Sequence, residues 1–184
     1  MVRSFWRITS YPPGFTPDRV LTLRVQFSGP QYREQTARRA HLDELLRRLQ
    51  SAPGVEAAGL NSDGDASMRF AVEGAPEVPR EQRPTAILSA ASGGYAKAIG
   101  LRVVRGRWFR DAEPLPVFVV NETLVRRVFA GEDPVGRKIC CLPWLRDARS
   151  ATVVGVVADL RYAGLDTGPE PEVFVNYGDA GCSP

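Results

Sequence analysis

Residues that carry most enzymatic chemistry are scarce in this sequence. Its 184 residues include one histidine, His41, together with three cysteines, two methionines and only two lysines, Lys97 and Lys138. A serine or cysteine nucleophile paired with a histidine base would have to use His41. That residue falls within a helical pattern, with no second metal-ligand type close by in the sequence. We therefore expect His41 to be a surface or boundary residue, no catalytic residue, and no enzymatic activity from this chain.

The few cysteines do not form a recognisable motif. Cys140 and Cys141 are adjacent, and Cys182 lies far away near the end of the sequence. Adjacent cysteines rarely bond to each other, and these spacings match no zinc or redox motif. Buried or incidental thiols are the favoured interpretation, while a disulfide from Cys182 to one of the pair stays open.

Motifs for cation or phosphate binding are also missing. Asp63 and Asp65 faintly resemble the start of a calcium loop, but its twelfth position is Gly74, where an acidic ligand is needed. The glycine pair at 93–94 is not followed by the lysine and hydroxyl residue of a phosphate loop, and no dinucleotide fingerprint occurs. We therefore expect no metal-binding and no cofactor-binding residues.

The remaining candidates have simpler interpretations. The acidic residues Glu132, Asp133 and Asp166 fall in turn-like contexts, where such side chains commonly bond to the backbone. The aromatic residues of interest are expected to fill core or rim positions, and they are Trp108, Phe109 and Trp144.

Long hydrophobic runs are absent as well. No stretch approaches the roughly 18 to 20 apolar residues of a transmembrane helix, and Met1–Tyr11 lacks the apolar core of a signal peptide. The net charge is +3, almost all of the positive charge is arginine, and the arginines are scattered and interleaved with acidic residues. Because nucleic-acid binding normally needs a concentrated basic stripe, a solvated surface is the favoured interpretation.

What is present, first of all, is the pattern of a strand, a helix and a strand. Val20–Phe27 alternates apolar and polar residues, which predicts a half-buried strand. Tyr32–Ser51 predicts an amphipathic helix, and Val55–Asn61 predicts a second strand, so the three would form a βαβ unit. The apolar stripe of the helix consists of Leu42, Leu45, Leu46 and Leu49.

The rest of the sequence predicts short strands separated by turns. Those strands are Met68–Val72, Thr85–Ala90, Leu101–Val104, Val117–Val120, Thr152–Val157 and Val173–Val175. Ser92 is expected to cap a short helix, and Asn121 is expected to cap the helix that begins at Glu122. The inward face of this second helix should carry Leu124, Val125 and Val128.

Several phrases of this sequence occur in the order known from one family. The last three are VFVVNETLVRRVFAGEDPVGRKI, TVVGVVADLRYAGL and PEVFVNY. Before them come PPGFTPDRVLTLRV, LLRRLQSAPGVEAAGLNS and ASGGYAKAIGLRVVRGRWF. Together they resemble the extracytoplasmic core domain of MacB-like (FtsX-type) ABC-transporter permeases, especially the orphan permeases that carry two such domains. The resemblance extends over roughly residues 4–177.

The resemblance implies an α+β fold of two parts. Residues 1–15 would be an entry segment that follows a missing transmembrane helix, and 16–61 the first half of a porter-like βαβ subdomain. Residues 62–177 would form a small mixed α/β subdomain, and 178–184 a loose tail. Ala96 stands where the family usually has a large aromatic residue, which would thin the local packing.

The resemblance also implies a function in transport. Members couple cytoplasmic ATP hydrolysis to movement outside the cytoplasm, in the export of peptides, toxins or antibiotics or in lipoprotein release. The expected partners are the remainder of the permease, its ATPase subunit, and a periplasmic partner or cargo. The expected location is the periplasmic face of the bacterial inner membrane. The resemblance assigns no catalytic or ligand residue.

The sequence departs from the family pattern at its end. After VFVNY the family continues with a strand and a helix that complete the porter-like part, followed by three transmembrane helices, whereas this sequence reads GDAGCSP. We therefore expect the chain to be an excised or truncated piece that associates with itself. The alternative is a free-standing soluble α+β binding module, directed to nucleic acid through its arginines.

Overall fold

The computed structural model of this chain describes residues 14–16, 18–62, 66–140, 150–161 and 168–178. Within these residues the helices are α1 (Gln35–Gln50), α2 (Tyr95–Ala98) and α3 (Glu122–Val128), with 3-10 turns at Pro30–Tyr32 and Arg80–Gln82. The strands are β1 (Ala66–Arg69), β2 (Ala71–Val72), β3 (Thr85–Ala91), β4 (Val103–Gly106), β5 (Val117–Asn121), β6 (Lys138–Cys140), β7 (Ser150–Val157) and β8 (Glu172–Asn176). The fold class is α+β, as the family resemblance implies.

The strands form one mixed sheet that closes on itself. Its order is β1-β3-β8-β5-β7-β6-β2, and β4 pairs with β7 outside this path. Strands β1 and β2 stand at opposite ends of the order, although only Phe70 separates them along the chain. Residues 66–72 therefore pair with β3 through their first half and with β6 through their second. The predicted strand Met68–Val72 is thus real, but it is divided at Phe70, which is fully buried.

The larger core lies inside the closed sheet. Every strand on the closed path contributes to it except the two-residue β2, whose Val72 packs against its edge. Helix α3 adds the side chains that its sequence pattern predicts to face inward. The buried members are Met68, Phe70, Ala86, Ala90, Phe118, Val120, Leu124, Val125, Phe129, Ile139, Ala151, Val153, Val156, Val173 and Val175.

A second core covers the outer face of the central strands. In β5, Phe118 and Val120 belong to the first core, whereas Val117 and Val119 belong to the second. Strand β5 is therefore buried on both faces, as predicted from its apolar run. The second core consists of Ala91, Ala96, Leu101, Phe109, Val117, Val119, Val157, Leu160 and Phe174.

The predicted strand Val20–Phe27 is wrong. These residues belong to no strand and no helix, and Leu21 and Leu23 are 89% and 60% exposed. The alternating pattern is present, but no described neighbouring strand pairs with it. A strand pattern shows which side chains can share a face and does not supply the hydrogen-bonding partner.

The predicted strand Val55–Asn61 is also wrong, since only the bridge between Asn61 and Ala91 remains of it. The Leu60 amide donates to the Ser92 hydroxyl (2.9 Å), and the Ser92 amide donates to the Leu60 carbonyl (3.0 Å). Because the Ser92 hydroxyl bonds to Leu60, it does not bond to the first turn of helix α2. The prediction that Ser92 caps this helix is therefore wrong as well. Gly94 precedes this helix without a side-chain cap. The βαβ unit predicted for residues 20–61 is therefore not formed, since neither of its two strands is present.

Other predicted elements are confirmed. Helix α1 begins three residues later than expected and is preceded by a 3-10 turn. Within its apolar stripe Leu46 is buried, and the other three leucines are half-buried. The predicted strand at Leu101–Val104 is shifted to β4. The described strands all lie beyond residue 61, but the proposed division into subdomains at 61 and 62 remains a prediction.

Candidate functional site

The residues considered for chemistry have structural roles where they are described. The ring of His41 packs edge-on against Tyr32, with centroids 5.3 Å apart, and against Phe27. Cys140 is half-buried at the end of β6, whereas Cys141 and Cys182 lie outside the described residues. Within the described part of the chain, no three or more histidine, cysteine and acidic side chains converge to hold a metal ion.

The acidic residues in turns also make local structural contacts. The Asp133 carboxylate accepts a hydrogen bond from the Val135 amide (3.1 Å), and Glu132 lies 3.9 Å from Arg137. These contacts confirm the predicted backbone-bonding role for Asp133. Residues 63–65, which faintly resemble the start of a calcium loop, lie outside the described residues, as do Trp144 and Asp166.

A cavity of about 340 Å³ lies beside the start of helix α3. Its wall includes Asp159, whose carboxylate accepts hydrogen bonds from the Thr123 amide (2.7 Å), the Thr123 hydroxyl (2.8 Å) and Arg126 (2.9 Å). Arg102 and Glu122, also in the wall, are 3.9 Å apart. Because Asp159 is already engaged with α3, we assign it a structural role.

The loop after β4 is fixed by a buried carboxylate. Arg107 donates two hydrogen bonds to Glu113, at 2.5 and 3.1 Å, and the Glu113 side chain is only 5% exposed. The hydrogen bonds from Arg107 lower the pKa of Glu113 below its ordinary value despite the opposing effect of burial. Within this loop, Trp108 stacks on Phe109 with ring centroids 4.4 Å apart, so both fill the core and rim positions predicted for them.

The surface feature that stands out is an apolar strip on residues 20–27. Leu21, Leu23 and Val25 occupy alternate positions of this segment, and all three are exposed. Phe27 lies against helix α1, since its ring centroid is 6.4 Å from that of His41 in this helix and 5.0 Å from that of Tyr32 in the preceding 3-10 turn. Neighbouring exposed apolar side chains of this kind mark interaction sites in proteins. The alternation that revealed the strip in the sequence did not reveal its exposure.

In the residues that the structure describes, no helix has the length and apolar character needed to cross a membrane.

Comparison with solved structures gives three related domains. The chain is 19% identical to the periplasmic region of MacB from Actinobacillus actinomycetemcomitans, with a TM-score of 0.49 over 74% of this chain and 55% of that one. It is 17% identical to the extracellular domain of the noncanonic ABC-type transporter YknZ from Gram-positive bacteria, with a TM-score of 0.47 over 74% and 62%. It is 17% identical to a domain of a putative permease protein from Porphyromonas gingivalis, with a TM-score of 0.50 over 72% and 55%.

The chain therefore spans somewhat more than half the length of each of these solved domains. At such low identity the likeness concerns the fold. No curated protein sequence matches the chain. The sequence does match the family described as the MacB-like periplasmic core domain, over residues 8–181. This match extends over nearly the whole chain, and the chain accordingly belongs to the MacB-like periplasmic core domain family, the periplasmic part of ABC transporter permeases.

Proposed function

We propose that this domain binds a partner or a cargo outside the cytoplasm and relays ATP-driven motion, in efflux or in lipoprotein release. The observation that carries this proposal is the family match over residues 8–181. The partners would be the remainder of a permease at the bacterial inner membrane, its ATPase subunit and a periplasmic protein or cargo.

We also propose that the domain works by binding and does not catalyse a reaction. The candidate acidic and imidazole side chains discussed above are engaged in helix, turn, ion-pair and ring contacts, which supports this interpretation. Asp159 holds the start of α3, and Glu113 fixes the loop after β4. The coupling of hydrolysis to movement would then depend on the ATPase subunit.

The apolar strip of Leu21, Leu23 and Val25 is the surface that we propose to be covered by the remainder of the permease. Two observations support this occupant. The strip has the alternation of a strand without a described neighbouring strand. The chain also covers only 55% of the related Porphyromonas gingivalis permease domain, so such domains contain further residues that can pack here. Covering the strip would remove exposed apolar area from water.

A photo-crosslinking experiment tests this proposal. A p-benzoylphenylalanine is placed at Leu23 in a permease that contains this domain and is expressed with its ATPase. The matched control is Leu115, which is 72% exposed and lies outside the strip. We expect Leu23 to crosslink to permease segments and Leu115 not to do so. The yield at Leu23 should change when orthovanadate traps the ATPase.

Two outcomes contradict the proposal. Equal adducts at Leu23 and Leu115 would show that the strip is not a specific contact. An adduct at Leu23 that is insensitive to trapping would show that the domain contacts the permease without following its ATP-driven motion.

A further inference from the structure

Helix α1 is joined to the end of the sheet by a polar cluster on residues distant in sequence. The Tyr177 hydroxyl donates a hydrogen bond to the Asp43 carboxylate, and an Arg39 guanidinium nitrogen donates to the Gly178 carbonyl (2.9 Å). Arg39 also lies 3.9 Å from Asp43, one helical turn away, and its guanidinium carbon is 5.9 Å from the centre of the Tyr177 ring. All four residues thus form one connected group, called here the latch.

On the sheet side, the latch is firmly anchored. Tyr177 packs against the larger core, and its amide donates to the Ala91 carbonyl in β3 (2.9 Å). The next residue, Gly178, is held by its amide, which donates to the Asn176 side chain (2.8 Å). The Asn176 side chain in turn donates to the Arg110 carbonyl (2.8 Å). The sheet end of the latch is therefore tied to β3 and to the loop after β4.

On the helix side, the described contacts with the sheet are few. No residue of α1 belongs to either core cluster, and this holds even for the buried Leu46. The best-formed ion pairs of the helix, Glu44 with Arg47 and Arg48, are internal to it. A polar contact between a hydroxyl and a carboxylate can open without exposing a core, unlike an apolar interface.

From this geometry we propose that the latch is a releasable coupling between helix α1 and the sheet. Closed, it makes α1 and β8 move together. Open, it lets α1 move while the sheet stays folded. Its use in relaying motion rests on the proposed function, whereas its opening and closing are properties of the chain itself.

The first test is hydrogen–deuterium exchange on the 184-residue chain. Tyr177→Phe removes the hydroxyl and keeps the ring. We expect the amides of α1 to exchange about tenfold faster, because a hydrogen bond to a charged group contributes roughly that factor or more. The amides of β5 and β8 should be unchanged. Tyr32→Phe is the matched control, since the Tyr32 hydroxyl lies 3.5 Å from the His41 ring near the same helix.

A second variant and a double-mutant cycle ensure that the test does not depend on a single substitution. A Cβ on Gly178 would lie 2.5 Å from an Arg39 terminal nitrogen, so Gly178→Ala should displace that flexible side chain and also speed exchange in α1. Asp43→Ala combined with Tyr177→Phe should be non-additive, as expected for contacting partners. Unchanged α1 exchange in Tyr177→Phe, equal acceleration of α1 and β8, or additivity in the cycle each overturns the latch.

The coupling role is tested separately in the permease. If wild type shows the trapping-dependent crosslink at Leu23, Tyr177→Phe should reduce that dependence and leave ATP hydrolysis unchanged. A response equal to that of wild type overturns the coupling role. If wild type shows no crosslink at Leu23, the proposed function is overturned instead. Failure of the coupling role and failure of the proposed function are therefore distinguishable.

Discussion

Gly106 and Gly155 lie directly opposite each other where β4 pairs with β7. A Cβ on Gly155 would be 2.1 Å from the Arg107 carbonyl oxygen, and a Cβ on Gly106 would be 2.2 Å from the Val154 carbonyl oxygen. Both obstacles are backbone atoms, which cannot rotate away as a side chain can. Each glycine belongs to a different phrase of the family resemblance, and together they allow the two strands to approach closely.

We therefore expect Gly155→Ala to lower the free energy of unfolding by about 2 kcal/mol or more, since overpacking in a filled site typically costs about 1 to 3 kcal/mol. Urea unfolding measures this loss. The control is Gly168→Ala, because nothing lies within 4 Å of a Cβ there, and we expect a change within about 0.5 kcal/mol. Equal effects of the two substitutions would contradict the close approach.

Asn121 is confirmed as the cap of α3, and it does more than the sequence predicts. Its side-chain oxygen accepts from the amides of Leu124 (2.9 Å) and Glu172 (3.0 Å), and its amide nitrogen donates to the Glu170 carbonyl (2.7 Å). Asn121→Ala leaves these groups without a partner in a site that is 1% exposed. We expect a loss of about 2 kcal/mol, at the upper end of the range for a cap alone.

The control for Asn121 is Asp133→Ala, which removes one exposed turn contact and should cost less than about 1 kcal/mol. Thermal and urea unfolding report both values. If Asn121→Ala left stability unchanged and abolished partner binding, the residue would be a contact and not a cap.

Stability at low pH should depend on Glu113. Because Arg107 lowers the pKa of Glu113 in the folded state, the carboxylate stabilises the fold above its ordinary pKa. That contribution declines as the pH falls below the ordinary value of 4.5, and it is lost once the pH passes below the folded-state pKa. Glu113→Gln should flatten the stability profile in this acid range, as measured by urea unfolding at several pH values. An unchanged slope would contradict the assigned ion pair.

The exposed strip should make the isolated chain associate. Strand-like segments without neighbours recruit other strands, and exposed apolar patches associate. We expect light scattering to show association that increases with concentration. Leu21→Ser with Leu23→Ser should reduce it, whereas Leu115→Ser, at an exposed site outside the strip, should not. A stable wild-type monomer with slow hydrogen exchange across residues 20–27 would show that the segment is already covered.

The isolated chain is predicted to have no hydrolytic activity and no nucleotide-dependent activity, because its sequence contains no phosphate loop. Calorimetry with ATP and binding to duplex DNA at several salt concentrations check this. Micromolar nucleotide binding would contradict the prediction. Affinity for DNA that falls steeply with salt would favour the arginine-directed alternative.

Local features of the fold could be predicted because their causes are local. The apolar run Val117–Val120 specifies a strand buried on both faces, and Asn121 followed by Glu122 specifies where the next helix begins. The stripe of leucines gives α1 within a few residues at each end. The family could also be identified from ordered phrases. The physical reason for two of their glycines, Gly106 and Gly155, is seen only in the structure, where the two residues lie opposite each other.

Contacts between distant residues were decided by the tertiary structure alone. The alternation in 20–27 describes a face that could be buried, but a strand needs a neighbour, and the sequence does not show whether one is present. Ser92 could cap a helix, yet its hydroxyl bonds to Leu60, 32 residues away. The latch likewise joins Asp43 to Tyr177 across 134 residues. Caps and periodicity are set within a turn or two of chain, whereas pairing, closure and coupling depend on which distant segments the fold brings together.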